Sequence, residues 1–360
     1  MIKYSTEDFV KNLVTEEYSG FFLGADVGGT YTRTTVAGIK ERKPVLIFSL
    51  KFETSFVDSI IPIINETLDY AEKKHGITIR ATCIGSAGII SEQRDFVKLT
   101  NAKWSINKKE IIDKTYLNDV FLINDFVALG YGINLLDEND DIFKIRSDKE
   151  YSSNYETKAV IGAGTGLGKC ILNYDEKNKF YKPIESEGGN SDFPCYNEFE
   201  AELVEYIKKI RNISKPLVYE ELLSGRGIVG IYQFLREKNH EKTKVDYEIE
   251  KSEDPAEVIS NYRNEDETCK EAFDLFSRFY GRCAKNFALD TLSKGGMYIA
   301  GGIAAKNKEI FQSSNFIDEF NEGNRREEFL RNVPIYVILN PHTSLLGACY
   351  AARIKTLKEE

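Results

Sequence analysis

The chain reads as an α/β protein with a substantially parallel core, built twice on one plan. Three observations predict this. Through the first 136 residues short apolar runs alternate with stretches of helical period, the pattern of strand–helix–strand units. An apolar run, a glycine turn and a second apolar run open each half of the chain, at 21–39 and again at 158–172. A length of 360 residues suits two domains, each able to bury its own core without a disulfide or metal staple.

Taken in order, residues 1–20 are polar and read as a helical extension. The run 21–27, the break Gly28-Gly29-Thr30 and the run 33–39 form a hairpin, and 44–52 is a third strand. Residues 55–76 are a helix. Val57, Ile60, Ile61, Ile64, Leu68 and Ala71 share one face, Ser55 with Asp58 resembles a cap, and Gly76 ends it. A strand at 79–85 and a short helix at 108–116 follow. Residues 120–124 form a buried strand, and Asp125 opens a helix that runs to 136. The charged stretch 137–157 reads as a linker or surface excursion. The glycine-rich turn 162–168 joins strands 159–161 and 170–172. Helices follow at 196–211 and 228–237, with a charged surface loop at 238–255. A long helix over 267–293 turns Phe273, Phe276, Tyr280, Cys283, Ala284 and Phe287 inward. Gly301-Gly302 sits between the strand 297–300 and a helix, and the strand 335–339 and the helix 343–357 close the chain.

Composition narrows the function. The formal net charge is −9, with both signs interspersed and no basic stripe, which argues against a nucleic-acid partner. Any anion site must therefore rest on local backbone geometry. The six cysteines (Cys83, Cys170, Cys195, Cys269, Cys283 and Cys349) form no CxxC pair and read as small buried residues of a reduced, cytoplasmic protein. The three histidines are far apart, so no Cys/His metal site is expected. The first 20 residues are too polar for a signal peptide, and no apolar run is long enough to span a bilayer, so no membrane partner is expected either.

The glycine turns carry the first chemistry. Without a Cβ in the way, backbone N–H groups can converge on an anion. Asp26, at the end of its strand, could hold Mg2+ through water, and the Thr30 hydroxyl could donate to a phosphate. One DVGGT turn is weak evidence, since a tight hairpin explains two glycines. Its counterpart at 162–168 means that two turns could grip one polyphosphate. Neither is a Walker loop: the position five before Gly168 is Ala163, and Lys169 is followed by Cys170. The dinucleotide pattern GxGxxG fails as well, because Gly164-x-Gly166 leads to Gly168 and Lys169. The second chemistry is a set of fixed acceptors. Asn124-Asp125 lies at a strand's C-terminal end, where open α/β sheets place ligands. An Asp before a helix is most often an N-cap. Glu187 in EGGN and Glu220 in YEELLSGRG adjoin glycine turns, and Asn, Asp and Glu together suit the hydroxyls of a sugar.

With these residues in view, the chain resembles the bacterial type of glucokinase within the hexokinase/actin-like ATPase superfamily. The matching segments, in order, are GADVGGTYTRTTVAG, LTNAKWSI, LINDFVALGYGI, IGAGTGLGKCIL, ESEGGNSDFP, ELLSGRGIVGIYQFL, MYIAGGIAAK and NPHTSLLGACYAA, from about residue 21 to 355. The resemblance implies a duplicated, two-lobed actin-like ATPase (ribonuclease H-like) fold. Its parts would be an extension at 1–20, a small α/β domain at 21–134 completed by the helix 343–360, and a large α/β domain at 135–342.

It implies that Asn124, Asp125, Glu187 and Glu220 bind the hexose, with Asp125 as catalytic base. Asp26, Gly28, Gly29 and Thr30 would form the first phosphate turn, Gly164, Thr165 and Gly166 the second, and Gly301 and Gly302 the adenosine pocket. Asn190 stands where the family usually has His, a residue expected to touch the sugar near its anomeric end, which bears on strict glucose specificity. Tyr31 and Thr32 replace the usual Asn and Ala, and Glu221 the usual Arg. The Cys-rich zinc segment of the related repressor/kinase branch has no match. The implied activity is in-line transfer from ATP, with Mg2+, to the 6-hydroxyl of glucose or a similar hexose, by a cytoplasmic homodimer whose lobes close on the sugar. A kinase for mannose, fructose or glucosamine, or a silent sugar sensor on the same fold, are the alternatives.

Overall fold

A computed structural model describes residues 2–100, 102–146, 155–239 and 242–359. The chain forms two compact units. The first comprises residues 1–137, 177–185 and 340–360, and the second residues 138–176 and 186–339.

The first unit is built on a six-stranded sheet in the order Tyr4–Asp8, Lys43–Glu53, Tyr31–Lys40, Phe21–Val27, Ala81–Ser86, Asp119–Asn124. The last three strands are parallel and the others antiparallel. Strand periodicity divides its core in two. Ile84, Val120 and Leu122 face one way, packing with Ile61, Ile64, Leu68 and Ala71 of the helix Ile61–His75. Cys83, Phe121 and Ile123 face the other way, toward the helix Asp125–Ile133 and toward Ala348, Ala351 and Ala352 of the helix Thr343–Glu359. These two helices cross at glycines: a Cβ on Gly347 would lie 1.9 Å from the Ala128 carbonyl, and one on Gly132 would lie 2.1 Å from that of Thr343. The C-terminal helix thereby fixes the helix that Asp125 opens.

The second unit repeats the plan. The hairpin Lys158–Ala163 with Leu167–Asp175 is followed in the sheet by Met297–Ala300 and Ile335–Ile338, both parallel to its first strand. The helix Glu267–Thr291 lines the core, with Phe276, Tyr280, Cys283 and Ala284 fully buried.

Several expectations from the sequence are corrected. Residues 1–20 hold no α-helix: Tyr4–Asp8 is an edge strand on Lys43–Glu53, with the Tyr4 ring 5.4 Å from that of Phe52. What makes that run a strand is the edge it pairs with, 40 residues away, which a local pattern does not show. The first long helix starts at Ile61, not near Ser55, because Pro62 lacks an N–H and sits in the first helical turn, where none is needed. The stretch 137–157 contains the strand Ile142–Arg146, paired with Ile335–Ile338; residues 147–154 of it lie outside the described residues. The supposed loop 238–255 carries the helix Lys244–Lys251, started by a Thr243–Asp246 capping box and anchored by buried Val245 and Ile249; residues 240–241 are not described. Cys195 is exposed, whereas the other five cysteines are buried.

Candidate active site

In the first unit, strand register brings the carboxylates together. Val27, Ser86 and Asn124 are paired across three adjacent parallel strands, so Asp26 lies one residue before this line and Asp125 one residue after it. Gly85, which pairs with Asp26, leaves room for Asp125: a Cβ on Gly85 would stand 3.7 Å from the Asp125 Cα. Asn124 serves as the helix N-cap, its Oδ1 accepting from the N–H groups of Phe126 at 2.8 Å and Val127 at 3.4 Å. The cap is thus the residue before Asp125, whose own Oδ1 accepts from the adjacent Phe126 N–H at 2.9 Å. Asp26 is half-buried. Desolvation, reinforced by the negative charge of Asp125 and opposed by Arg33, pushes its carboxyl up to about 6.

The first glycine turn is braced by a residue that no motif announced. Gly28 N–H donates to the Tyr31 carbonyl at 3.0 Å, and buried Thr54 holds both ends of the turn. The Thr54 hydroxyl donates to the Gly28 carbonyl at 2.9 Å, and its N–H to the Thr30 carbonyl at 2.9 Å. Gly29 and Thr30 are left exposed at the tip. Only the position of Thr54, just past a strand that pairs with the hairpin, could have signalled it.

In the second unit three loops meet at one backbone position, Leu167. Its N–H donates to Glu220 Oε2 at 3.1 Å, and its carbonyl lies where a Cβ on Gly189 would come within 1.9 Å, so only glycine fits there. The loop Glu187-Gly188-Gly189-Asn190 therefore rests directly on the second glycine turn. Asn190 Nδ2 reaches Glu187 Oε2 at 3.5 Å, and Tyr219 N–H donates to the Ser191 carbonyl at 3.0 Å, which ties this loop to the turn Tyr219–Glu221. Beneath it lies a second residue missed by sequence reasoning. The ammonium of buried Lys169 sits 5.0 Å from the Phe287 ring centroid and 5.6 Å from that of Tyr219.

Gly164 closes its own turn by donating to the Gly166 carbonyl at 2.8 Å, and its carbonyl accepts from Gly225 N–H at 2.9 Å, at the start of the helix Gly225–Asn239. Thr165 is exposed. Gly164 and Thr165, with Gly225, Arg226, Gly302 and Lys306, line a cavity of about 770 Å3. Gly301, at φ +96°, turns the chain from the strand Met297–Ala300 into the helix behind Gly302.

Two α/β units of one plan, each built around a glycine hairpin, with acidic and amide side chains at the strand ends and a cavity beside the second hairpin, fit a kinase of the actin-like ATPase fold. The chain belongs to the glucokinase family, whose model matches residues 23–355. A glucokinase from Nostoc punctiforme is 34% identical over 346 residues, spanning 92% of this chain and 98% of that protein. One from Agrobacterium fabrum is 30% identical over 340 residues, spanning 94% and 93%. Among solved structures, the glucokinase from Balamuthia mandrillaris in complex with glucose shares the fold at a TM-score of 0.78 and 22% identity, over 93% of this chain and 94% of that one. A glucokinase from an Antarctic psychrotroph does so at 0.75 and 24%, over 93% and 99%. Among the described residues no helix is long and apolar enough to cross a membrane, and no group of three or more His, Cys, Asp or Glu is placed to hold a metal ion.

Proposed function

We propose that the chain transfers the terminal phosphoryl group of ATP to the 6-hydroxyl of glucose, with Asp125 as the base. The observation that carries this reading is the placement of Asp125. The helix cap is supplied by Asn124, so the usual work of an N-terminal Asp is already done, and the Asp125 carboxylate stands at the end of a parallel strand beside Asp26.

Asp125 accepts the proton of the sugar hydroxyl. Asn124 in the first unit, and Glu187, Asn190 and Glu220 in the second, are acceptors and donors suited to the other hydroxyls. In the turns Gly28-Gly29-Thr30 and Gly164-Thr165-Gly166, whose first N–H groups close the turns themselves, exposed Gly29, Thr30 and Thr165 offer N–H and hydroxyl donors to phosphates, and the cavity at Gly302 takes the adenosine. A lone carboxylate such as Asp26 fits Mg2+, which is usually held by one or two carboxylates, water and substrate phosphates. When bound, Mg2+ would neutralise charge on the β- and γ-phosphates. The family resemblance supports a homodimer working in the cytoplasm.

The test is ADP release with Mg-ATP against glucose, mannose, fructose and glucosamine. Glucose-dependent turnover is expected, reduced in Asp125→Ala by about 10²–10⁴-fold in kcat with hexose binding retained. A variant turning over near the wild-type rate would remove Asp125 from the mechanism. A folded wild type that binds nucleotide yet phosphorylates no hexose would point to a sugar sensor.

A further inference from the structure

Arg226 stands where two subsites of the second unit share one cation. It is the second residue of the helix Gly225–Asn239, with a side chain 49% exposed. One of its terminal nitrogens lies 2.9 Å from Glu220 Oε1 and 2.9 Å from Glu221 Oε1. The two glutamates differ in what else they hold. The second oxygen of Glu221 pairs with Arg211, whose guanidinium also donates to the Glu221 carbonyl at 2.9 Å and the Arg226 carbonyl at 2.6 Å. Among the described residues, the second oxygen of Glu220 has only the Leu167 N–H, at 3.1 Å. Among the described residues, Arg226 is the one cation that pairs with Glu220.

The same arginine lines the 770 Å3 cavity together with Gly164, Thr165, Gly302 and Lys306. Of the other cations on that wall, Lys306 is committed to Glu257 at 2.5 Å and Arg211 to Glu221. A guanidinium suits the fork of a carboxylate and the oxygens of a phosphate equally well, and the same N–H groups serve one at a time. A phosphate beside Thr165 offers Arg226 a second arrangement.

We propose that Arg226 is a positioning residue that couples nucleotide to hexose: it moves from Glu220 to the nucleotide phosphates and so frees Glu220 Oε1 to accept a sugar hydroxyl. This rests on reading the cavity as the nucleotide site and Glu220 as a hexose ligand. Linkage makes the effect reciprocal, because a sugar that takes Glu220 releases the guanidinium for phosphate. Glu221 and Arg211 keep the N-terminus of the helix in place through the exchange.

Calorimetric titration tests this without turnover. Glucose is titrated into the full-length wild type, with and without a saturating non-hydrolysable ATP analogue. The expected result is a glucose Kd lowered about five-fold or more by the analogue. In Arg226→Met, and in Arg226→Gln as a second variant, the analogue should change that Kd less than two-fold. A wild-type Kd that does not respond to the analogue, or variants that keep a response above two-fold, would overturn the proposal while leaving Glu220 as a sugar ligand. Wild type that shows no saturable glucose binding in either titration would overturn the assignment of Glu220, and the coupling with it.

Discussion

Asp26 sits where its surroundings disfavour the ionised form that the proposed chemistry uses. Desolvation and the neighbouring Asp125 raise its carboxyl to about 6, above the ordinary carboxylate value. Below about pH 4 the group is protonated both folded and unfolded, so the fold loses nothing. As pH rises from about 4 to 6 the unfolded chain gives up this proton while the folded chain keeps it, so stability falls, and the loss is complete once the folded group has ionised. Asp26→Asn should therefore match the wild type at pH 4 and exceed it at pH 7.5 by on the order of 1–3 kcal/mol, read from urea unfolding at both pH values with chelator present. Activity should be lost in the same variant. Equal stability at pH 7.5 would mean that the carboxylate is not strained. Such a trade of stability against function is common at active sites. DVGGT made Asp26 a candidate; the shift of its carboxyl was not legible, because it comes first from desolvation in the fold and then from Asp125, about 100 residues later.

At the scale of elements, what matters is how loops rest on one another. The Glu187–Asn190 loop sits on Leu167 through the missing Cβ of Gly189. Gly189→Ala should push that loop off the second glycine turn, moving Glu187 and Asn190 together. Hexose KM should rise by at least about ten-fold, since a misplacement of about 1 Å in a positioning group is costly. The KM for ATP should change far less, and steady-state kinetics with each substrate varied will show whether it does. EGGN could be proposed as a sugar loop from its residue types. Thr54, which braces the first turn, and Lys169, which lies under the second, were not readable, since each acts through a contact between segments distant in sequence. For the same reason the polar run at 4–8 passed for a helix. The capping box at Thr243, by contrast, was a local signal, and a charge-rich context hid it.

The second unit as a whole is pinned by a buried ionic cluster. Arg282, 1% exposed, donates to Glu200 at 2.7 and 2.9 Å and to Glu319 at 2.8 Å. It thereby joins the helices Glu198–Arg211, Glu267–Thr291 and Ser314–Asn321. Burial acts to raise the Glu200 carboxyl, and the Arg282 bonds outweigh it, holding the group below the usual range. Arg282→Met would strand the buried Glu200 carboxylate and leave Glu319 with Lys285 at 3.6 Å, and should cost about 3–5 kcal/mol, seen as an earlier urea transition. A loss below about 1 kcal/mol would show that the carboxylates find water or protons instead. The duplicated plan of the two units was legible from the paired glycine hairpins, since turn chemistry and apolar runs are local. Their parallel neighbours were placed by alternation alone.

The first unit takes its last helix from the far end of the chain: Thr343–Glu359 packs on the helix that follows Asp125, through Gly132 and Gly347. During synthesis this has a price in time. Once residue 137 has left the ribosome, about 200 more must be made before that helix exists, roughly 10–40 s at 5–20 residues per second. Throughout that interval the face carrying Cys83, Phe121 and Ile123 has the helix Asp125–Ile133 but lacks Ala348, Ala351 and Ala352, and the half-covered sheet is open to chaperones. The second unit, contiguous but for the short segment 177–185, can be complete first, so the helix that Asp125 opens gains its packing partner only after residues 343–359 have been made.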